Sequence, residues 1–230
     1  MKKALLYLSF FLCVAVAAEA QKTFEGTVTY SYDVSGSNAE MMANMMPKQM
    51  IIKYGKEGMI TEVEGGMMAG MMGRVVVNSK TDEAFVVKDA EKAVYVIKPE
   101  AMAAVEQPDR SKDLTETDET MDILGYTARK YTLNVEQNGM QTQQTLWLTD
   151  ALRPPEIKAP SLQQMGNSFM ANGQLPGFPL RIEVEMPQVQ ASVIMTASEL
   201  NFDKVADSEF EKPAGFTEKD FSQLMQMGNR

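Results

Sequence analysis

Histidine is absent from this 230-residue chain, and its one cysteine, Cys13, lies within the first twenty residues. Without imidazole, Ser-His-Asp and Cys-His catalysis and His-based zinc or copper sites are impossible. If the opening segment is removed, thiolate catalysis and disulfides leave with it, and the fold must be held by burial alone. Basic clusters are lacking too, with 22 Lys and Arg against 31 Asp and Glu, a net charge of −9. Such a surface repels phosphate backbones and anionic headgroups, which excludes nucleic acid as a partner. Past residue 20 no run is long and apolar enough to span a bilayer. Carboxylate pairs remain as a catalytic option, but Glu183 and Glu185 alternate along a strand beside Arg181 and read as a solvated face. The expectation is a protein that is not an enzyme and carries no cofactor.

What is present begins with a leader. Lys2 and Lys3 precede the apolar run Ala4 to Ala18, and Ala18-Glu19-Ala20 is a small-x-small cleavage pattern. We expect residues 1–20 to be a signal peptide and the mature chain to be exported, periplasmic or secreted, starting at Gln21. Setting Lys2, Lys3 and Glu19 aside leaves 20 basic and 30 acidic residues, a net charge of −10. Residues 21–230, in a chain that is 44% hydrophobic, suffice for one domain with a sizeable core.

Period-two alternation dominates that domain. Phe24, Gly26, Val28, Tyr30, Tyr32 and Val34 alternate with polar residues, the mark of a strand with one buried face. Ser37 to Glu40 reads as a cap leading into a short helix that Pro47 stops. Strands are predicted at 49–54, 59–64, 74–79, 83–88 and 93–98, with residues 65–73 as a glycine-flanked loop. Residues 99–107 are weakly helical, and 108–122 are polar and acidic. Asp113, Glu116, Asp118, Glu119 and Asp122 lack the glycine and spacing of a calcium loop, so an edge-protecting strand is the better reading.

Asn138-Gly139 then sits between two alternating runs and suits a hairpin turn that needs φ > 0 twice. Counting back from Gln137 opposite Met140 pairs Val135 with Thr142, Leu133 with Gln144, Tyr131 with Leu146 and Arg129 with Leu148 on one mostly apolar face. On the other face Glu136, Asn134, Thr132 and Lys130 meet Gln141, Gln143, Thr145 and Trp147. Trp147, the single tryptophan, is expected to pack on the Lys130 stem or against a covering helix rather than stack on a ligand. Gly125-Tyr126 reads as a kink that lets the strand curve. Residues 161–171 are predicted helical. Leu180 to Met186 and Val189 to Ala197 form a second hairpin across Pro187-Gln188, and an amphipathic helix is expected from Glu218 to Met227. With about ten strands and no βαβ repeat, the fold class is mainly β (α+β), one long antiparallel sheet that curls over a few short helices.

Methionine is the compositional outlier, at 20 residues, ten of them between positions 41 and 72. Met41, Met42, Met45, Met46 and Met67, Met68, Met71, Met72 repeat the pattern Met-Met-x-x-Met-Met. On a helix the first block forms neighbouring i, i+4 pairs. Three readings stay open: adaptable packing, a flexible flap for a hydrophobic ligand, or a thioether site for Cu(I). No metal is assigned.

Several motifs also resemble a known family. They are Phe24-x-Gly26-x-Val28-x-Tyr30, Ile123-Leu124-Gly125-Tyr126 followed by Lys130-Tyr131, Leu146-Trp147-Leu148-Thr149, Gly177-x-Pro179-Leu180, and Phe210-x-x-Pro213-x-Gly215-Phe216. Together they resemble an uncharacterised family of exported Gram-negative proteins, similar in layout to the LolA-like lipoprotein carriers. Leu175-Pro176-Gly177-Phe178-Pro179-Leu180 also resembles a related family with a Gly-Leu-Pro-Gly-Leu-Ile signature, with Gln174 in place of its first glycine. The resemblance implies a half-barrel wrapped over helices, enclosing an apolar cavity. Its expected lining is Val28, Tyr30, Tyr131, Leu133, Leu146, Ile182, Val184 and Val193, and its expected partner is a lipid or other hydrophobic small molecule. An envelope module that acts through structure or protein contacts, without a ligand, is the alternative, and no residue identifies a protein partner.

Overall fold

The alternation after Phe24 does build a strand, and the computed structural model describes residues 21–98, 114–137, 140–155 and 175–228. The chain begins with β1 (Lys22–Thr23), β2 (Gly26–Gly36), α1 (Ala39–Met45), β3 (Gln49–Tyr54) and β4 (Gly58–Glu64). It continues through α2 (Gly66–Met72), β5 (Arg74–Asn78), β6 (Glu83–Lys88) and β7 (Ala93–Ile97). Next come β8 (Leu114–Ile123), β9 (Tyr126–Gln137), β10 (Met140–Thr149) and β11 (Leu152–Arg153). The last elements are β12 (Phe178–Met186), β13 (Ala191–Asn201), β14 (Thr217–Asp220) and α3 (Phe221–Gly228).

Twelve strands form one sheet in the order β14-β7-β6-β5-β4-β3-β2-β13-β12-β10-β9-β8. Its neighbours are antiparallel except β14 on β7, and β1 and β11 make a separate parallel pair. The hairpin register holds residue for residue: Gln137 faces Met140, Tyr131 faces Leu146 and Lys130 faces Trp147. The sheet is curved. The Tyr54 ring at the end of β3 and the Phe178 ring at the start of β12 have centroids 6.0 Å apart although β2 and β13 lie between their strands, as curvature toward this face brings about.

Coverage differs between the two halves. From β3 toward β8 the core is one-sided among the described residues, with Phe24, Val28, Tyr30, Ile52, Leu146, Ile182 and Met195 in a single cluster. From β4 to β7 both faces are buried. Val77, Ala84, Val86 and Tyr95 share one face with Phe221 and Leu224 of α3 packed on it. Ile60, Val76, Phe85 and Val94 share the other, beneath Val205, Phe210 and Phe216 from the segment after β13. The centres of β5, β6 and β7 read as unbroken apolar runs because neither side meets water.

Four expectations need correction. Residues 66–72, read as part of a loop, are α2, since Met-Met-x-x-Met-Met has helical spacing and the flanking glycines only mark its ends. Leu124-Gly125 is no kink but the two-residue turn between β8 and β9, with φ of +53° and +80°. Both values are positive, as a tight hairpin turn of this twist requires. Val189 belongs to a 3-10 turn, and β13 starts at Ala191. The expected terminal helix opens instead as β14, because Thr217 to Asp220 pair in parallel with β7, and α3 starts at Phe221. The acidic stretch read as an edge-protecting strand is one: β8 pairs with β9 at the end of the sheet, with a bulge between Glu116 and Thr120. The helices expected at 99–107 and 161–171 and the Asn138-Gly139 turn lie outside the described residues.

Candidate functional site

The eight expected lining residues fall on one face. Val28, Tyr30, Leu146 and Ile182 belong to one packed cluster, with Tyr131 and Val184 half-buried against it, and Leu133 and Val193 are also buried. Tyr30 shows how tightly this face is fitted. Its hydroxyl donates to the Pro179 carbonyl at 2.8 Å, and burial, then the nearby Tyr54 phenol, pushes its pKa well up. Among the three described clefts only Tyr131 of these eight lines open space.

The methionine blocks occupy a different kind of place. α1 links β2 to β3 and α2 links β4 to β5, so both cap the same end of the sheet. They pack on each other, α1 also resting on β2 and β13 and α2 on β4. Glycine permits this contact. Gly65 and Gly66 have φ of +71° and +66°, and a Cβ on Gly66 would lie 2.0 Å from the Met46 carbonyl oxygen at the end of α1. Met41 and Met45 are 59% and 46% exposed, Met67 and Met72 are 65% and 43% exposed, and Met42 and Met46 are half-buried. Met68 and Met71 lie on α2. The pair thus presents a flexible, apolar, sulfur-bearing surface that no capping side chain fixes. A cleft of about 260 Å³ opens beside it, between Ala69 and Gly70 of α2 and Glu62, Arg74, Lys88 and Asp89.

A second cleft, of about 420 Å³, lies on the inner face of β8 to β10. Glu116, Thr120, Thr127, Arg129, Tyr131, Leu148 and Asp150 line it with Pro176 and Gly177. Arg129 Nη1 donates to Glu116 Oε1 at 2.7 Å. Burial, then the Glu116 charge, raises the Tyr131 phenol above its ordinary value, with Arg129 pulling the other way. Sequence reasoning did not find this cleft. Its signal was Arg129, which the hairpin register puts opposite Leu148 on the otherwise apolar face: a charge there needs a carboxylate and access to water.

Three of the four acids of β8 have polar side-chain partners. Glu116 meets Arg129, Glu119 meets Lys130 at 2.8 Å, and Asp122 accepts from the Thr127 hydroxyl at 3.0 Å. Trp147 sits under Lys130, whose Nζ lies 5.9 Å from the ring centroid, and its indole N–H donates to Glu183 at 3.1 Å. Glu183 also accepts from Arg181 at 2.7 Å, so these groups form an outer polar network and not an acid pair. Among the described residues no group of three or more Asp and Glu is arranged to hold a metal ion, and no helix is long and apolar enough to cross a membrane.

Comparison with known proteins places these features in a family. Residues 24–216 match the model of a domain of unknown function, DUF4412. No curated protein matches the chain. Among solved structures, PNGF-II is 18% identical with a TM-score of 0.48, over 87% of this chain and 32% of that one, so the chain spans about a third of that protein. An uncharacterized conserved protein from Thermus thermophilus is 11% identical, TM-score 0.44, covering 85% and 91% of the two chains. A domain described as an outer membrane lipoprotein-sorting protein domain, from Vibrio parahaemolyticus, is 10% identical, TM-score 0.34, covering 81% and 90%. At these scores the likenesses carry no functional argument.

Proposed function

The chain belongs to the DUF4412 family, a domain of unknown function, and within it we propose a non-catalytic, exported envelope protein that binds a lipid-like or other hydrophobic molecule. The observation that carries this reading is the α1–α2 pair, four of whose methionines stay exposed where polar residues would be expected. Unbranched thioether side chains adapt to many apolar shapes, which suits a flap more than a fixed wall. The inner face supplies the complement. Its apolar side chains, from Val28 and Tyr30 to Ile182 and Val184, are closed against one another, and an acyl chain admitted beneath the flap would bind by parting them. The absence of histidine from the whole chain supports a binding role over catalysis.

Organic extraction of the purified protein, followed by mass spectrometry, is expected to release a hydrophobic compound, and the emptied protein is expected to take up an apolar fluorescent dye. No extractable compound and no dye uptake would favour an envelope module that works through structure or protein contacts. Replacing Met41, Met42, Met45, Met46, Met67, Met68, Met71 and Met72 by Leu keeps volume and apolarity while removing sulfur. Dye uptake is expected to survive this change, whereas a Cu(I) site would vanish with its donors.

A further inference from the structure

Exposed methionine is confined, among the described residues, to one place. Met41, Met45, Met67 and Met72 are 43% to 65% exposed, while Met50, Met59 and Met195 in the core are 8% exposed or less. The elements that carry the exposed set are also the least self-sufficient in the fold. α1 and α2 have seven residues each, against the ~12–15 that an isolated helix needs to be even marginally stable. Asn38 makes no side-chain capping bond to α1, and the N-cap of α2 is Gly65, which has no side chain to offer. What holds the two helices is their packing on each other and on β2, β4 and β13. Their outer side chains are therefore accessible to a small oxidant, and their seating depends on thioethers remaining apolar.

We propose that the α1–α2 pair is an oxidation-sensitive site for a hydroperoxide, and that sulfoxide formation at Met41, Met45, Met67 and Met72 unseats the helices and shuts off hydrophobic binding. The last step rests on the binding reading above; the first two do not. In the reaction a thioether lone pair attacks the outer oxygen of the hydroperoxide, the O–O bond breaks and an S–O bond forms. Sulfur gives up two electrons, and the departing oxygen takes a proton to leave as water or an alcohol. The product is polar and chiral, so it disfavours the close apolar contact that seats short helices, and it is reversible by methionine sulfoxide reductases. Clustering makes the response steep, because the affected side chains lie on two helices that support each other.

The test uses the mature protein and hydrogen peroxide. Peptide mass mapping is expected to find sulfoxide at Met41, Met45, Met67 and Met72 while Met50, Met59 and Met195 stay reduced. Hydrogen exchange is expected to show amide protection in residues 39–45 and 66–72 falling about tenfold, with the sheet unchanged. Dye uptake is expected to fall by a similar ~10-fold factor and to return after treatment with methionine sulfoxide reductases. In a variant with Met41, Met45, Met67 and Met72 changed to Leu, peroxide is expected to change neither protection nor uptake from that variant's own untreated level. Full oxidation of the four with unchanged protection would overturn the proposal, as would equal loss in the Leu variant. If the untreated protein takes up no dye, the binding reading fails, and the protection measurement still decides the oxidation step.

Discussion

Strands β4 to β7 belong to the same sheet as β8, β9, β10, β12 and β13, but the two groups solve burial differently. In the first group Val76 and Val77, neighbours in sequence, point to opposite faces and are both buried, because residues after β13 cover one side and α3 the other. In the second group Glu183 and Ile182 are also neighbours, yet only Ile182 is buried. Doubly covered strands spend no residues on water, and singly covered ones alternate. Runs such as Arg74-Val75-Val76-Val77 therefore report a second layer that comes from elsewhere in the chain. That layer is delivered late, by the segment from Val205 to Phe216 and by α3, the last described helix.

The largest effect should come from removing that layer. Phe210 is fully buried, and its ring fills the space left by two glycines: a Cβ on Gly55 would lie 2.6 Å from the ring, and one on Gly58 3.1 Å. Phe210→Ala should cost about 3–5 kcal/mol, read as a drop in the urea midpoint. The matching change on the outer face of the other half, Ile194→Ala, removes a half-buried side chain and should cost about 1 kcal/mol. Equal losses from the two would break the comparison.

A smaller effect tests the outer face of the singly covered half. Trp147 is buried there, with Lys130 over its ring and Glu183 accepting its N–H. Trp147→Phe keeps most of the apolar contact and loses the hydrogen bond, for an expected cost of about 1 kcal/mol. Circular dichroism during urea unfolding is the measurement, since this change removes the fluorophore. A loss as large as that of Phe210→Ala would mean that Trp147 is a core anchor like those of the doubly covered half.

How much of this could be read in advance follows the same division. Where one face is wet, alternation plus Asn138-Gly139 is enough to set the β9–β10 register down to Tyr131 opposite Leu146. Where both faces are dry, the strands can be found but not what covers them, since Val75-Val76-Val77 has no parity and Phe210 gives no local sign of its target. Parallel β14 was hidden because Thr217-Glu218-Lys219-Asp220 has no apolar alternation, and what joins it to β7 is backbone pairing with a side-chain bond from Lys219 to the Tyr95 hydroxyl. Helix α2 was visible as a repeat of the α1 pattern, but Gly65, Gly66, Gly70 and Gly73 argued for a loop. Of the candidate site, the shared face of Val28 through Val193 was legible from period two. The open space around Arg129 was not, because it depends on three strands and on residues 176–177 meeting.

The smallest expected effect concerns how the second layer is pinned at its edge. Lys212, just past Phe210, donates to Glu83 on β6 at 2.8 Å and to Glu218 on β14 at 3.2 Å. The hydrogen bond from Lys212, partly opposed by desolvation, holds the Glu83 carboxyl below its ordinary value of 4.5, and the same bond raises Lys212 above 10.5. A depressed carboxyl pKa means that the unfolded chain takes up its proton first. The pair's contribution is then fully present above about pH 4.5 and fades as pH falls through the lower folded value. On the alkaline side it persists to above pH 10.5, since the raised Lys212 keeps its proton longer in the folded state. Both side chains are partly exposed, 24% for Lys212 and 39% for Glu83, so solvent screening limits the contribution to about 0.5 kcal/mol or less. Urea midpoints for wild type and Lys212→Met, from about pH 3 to about pH 7, should differ slightly at neutral pH and converge in acid. Convergence is the informative part, because a difference that persisted at the acid end would show that Lys212 acts through its aliphatic stem rather than through its charge.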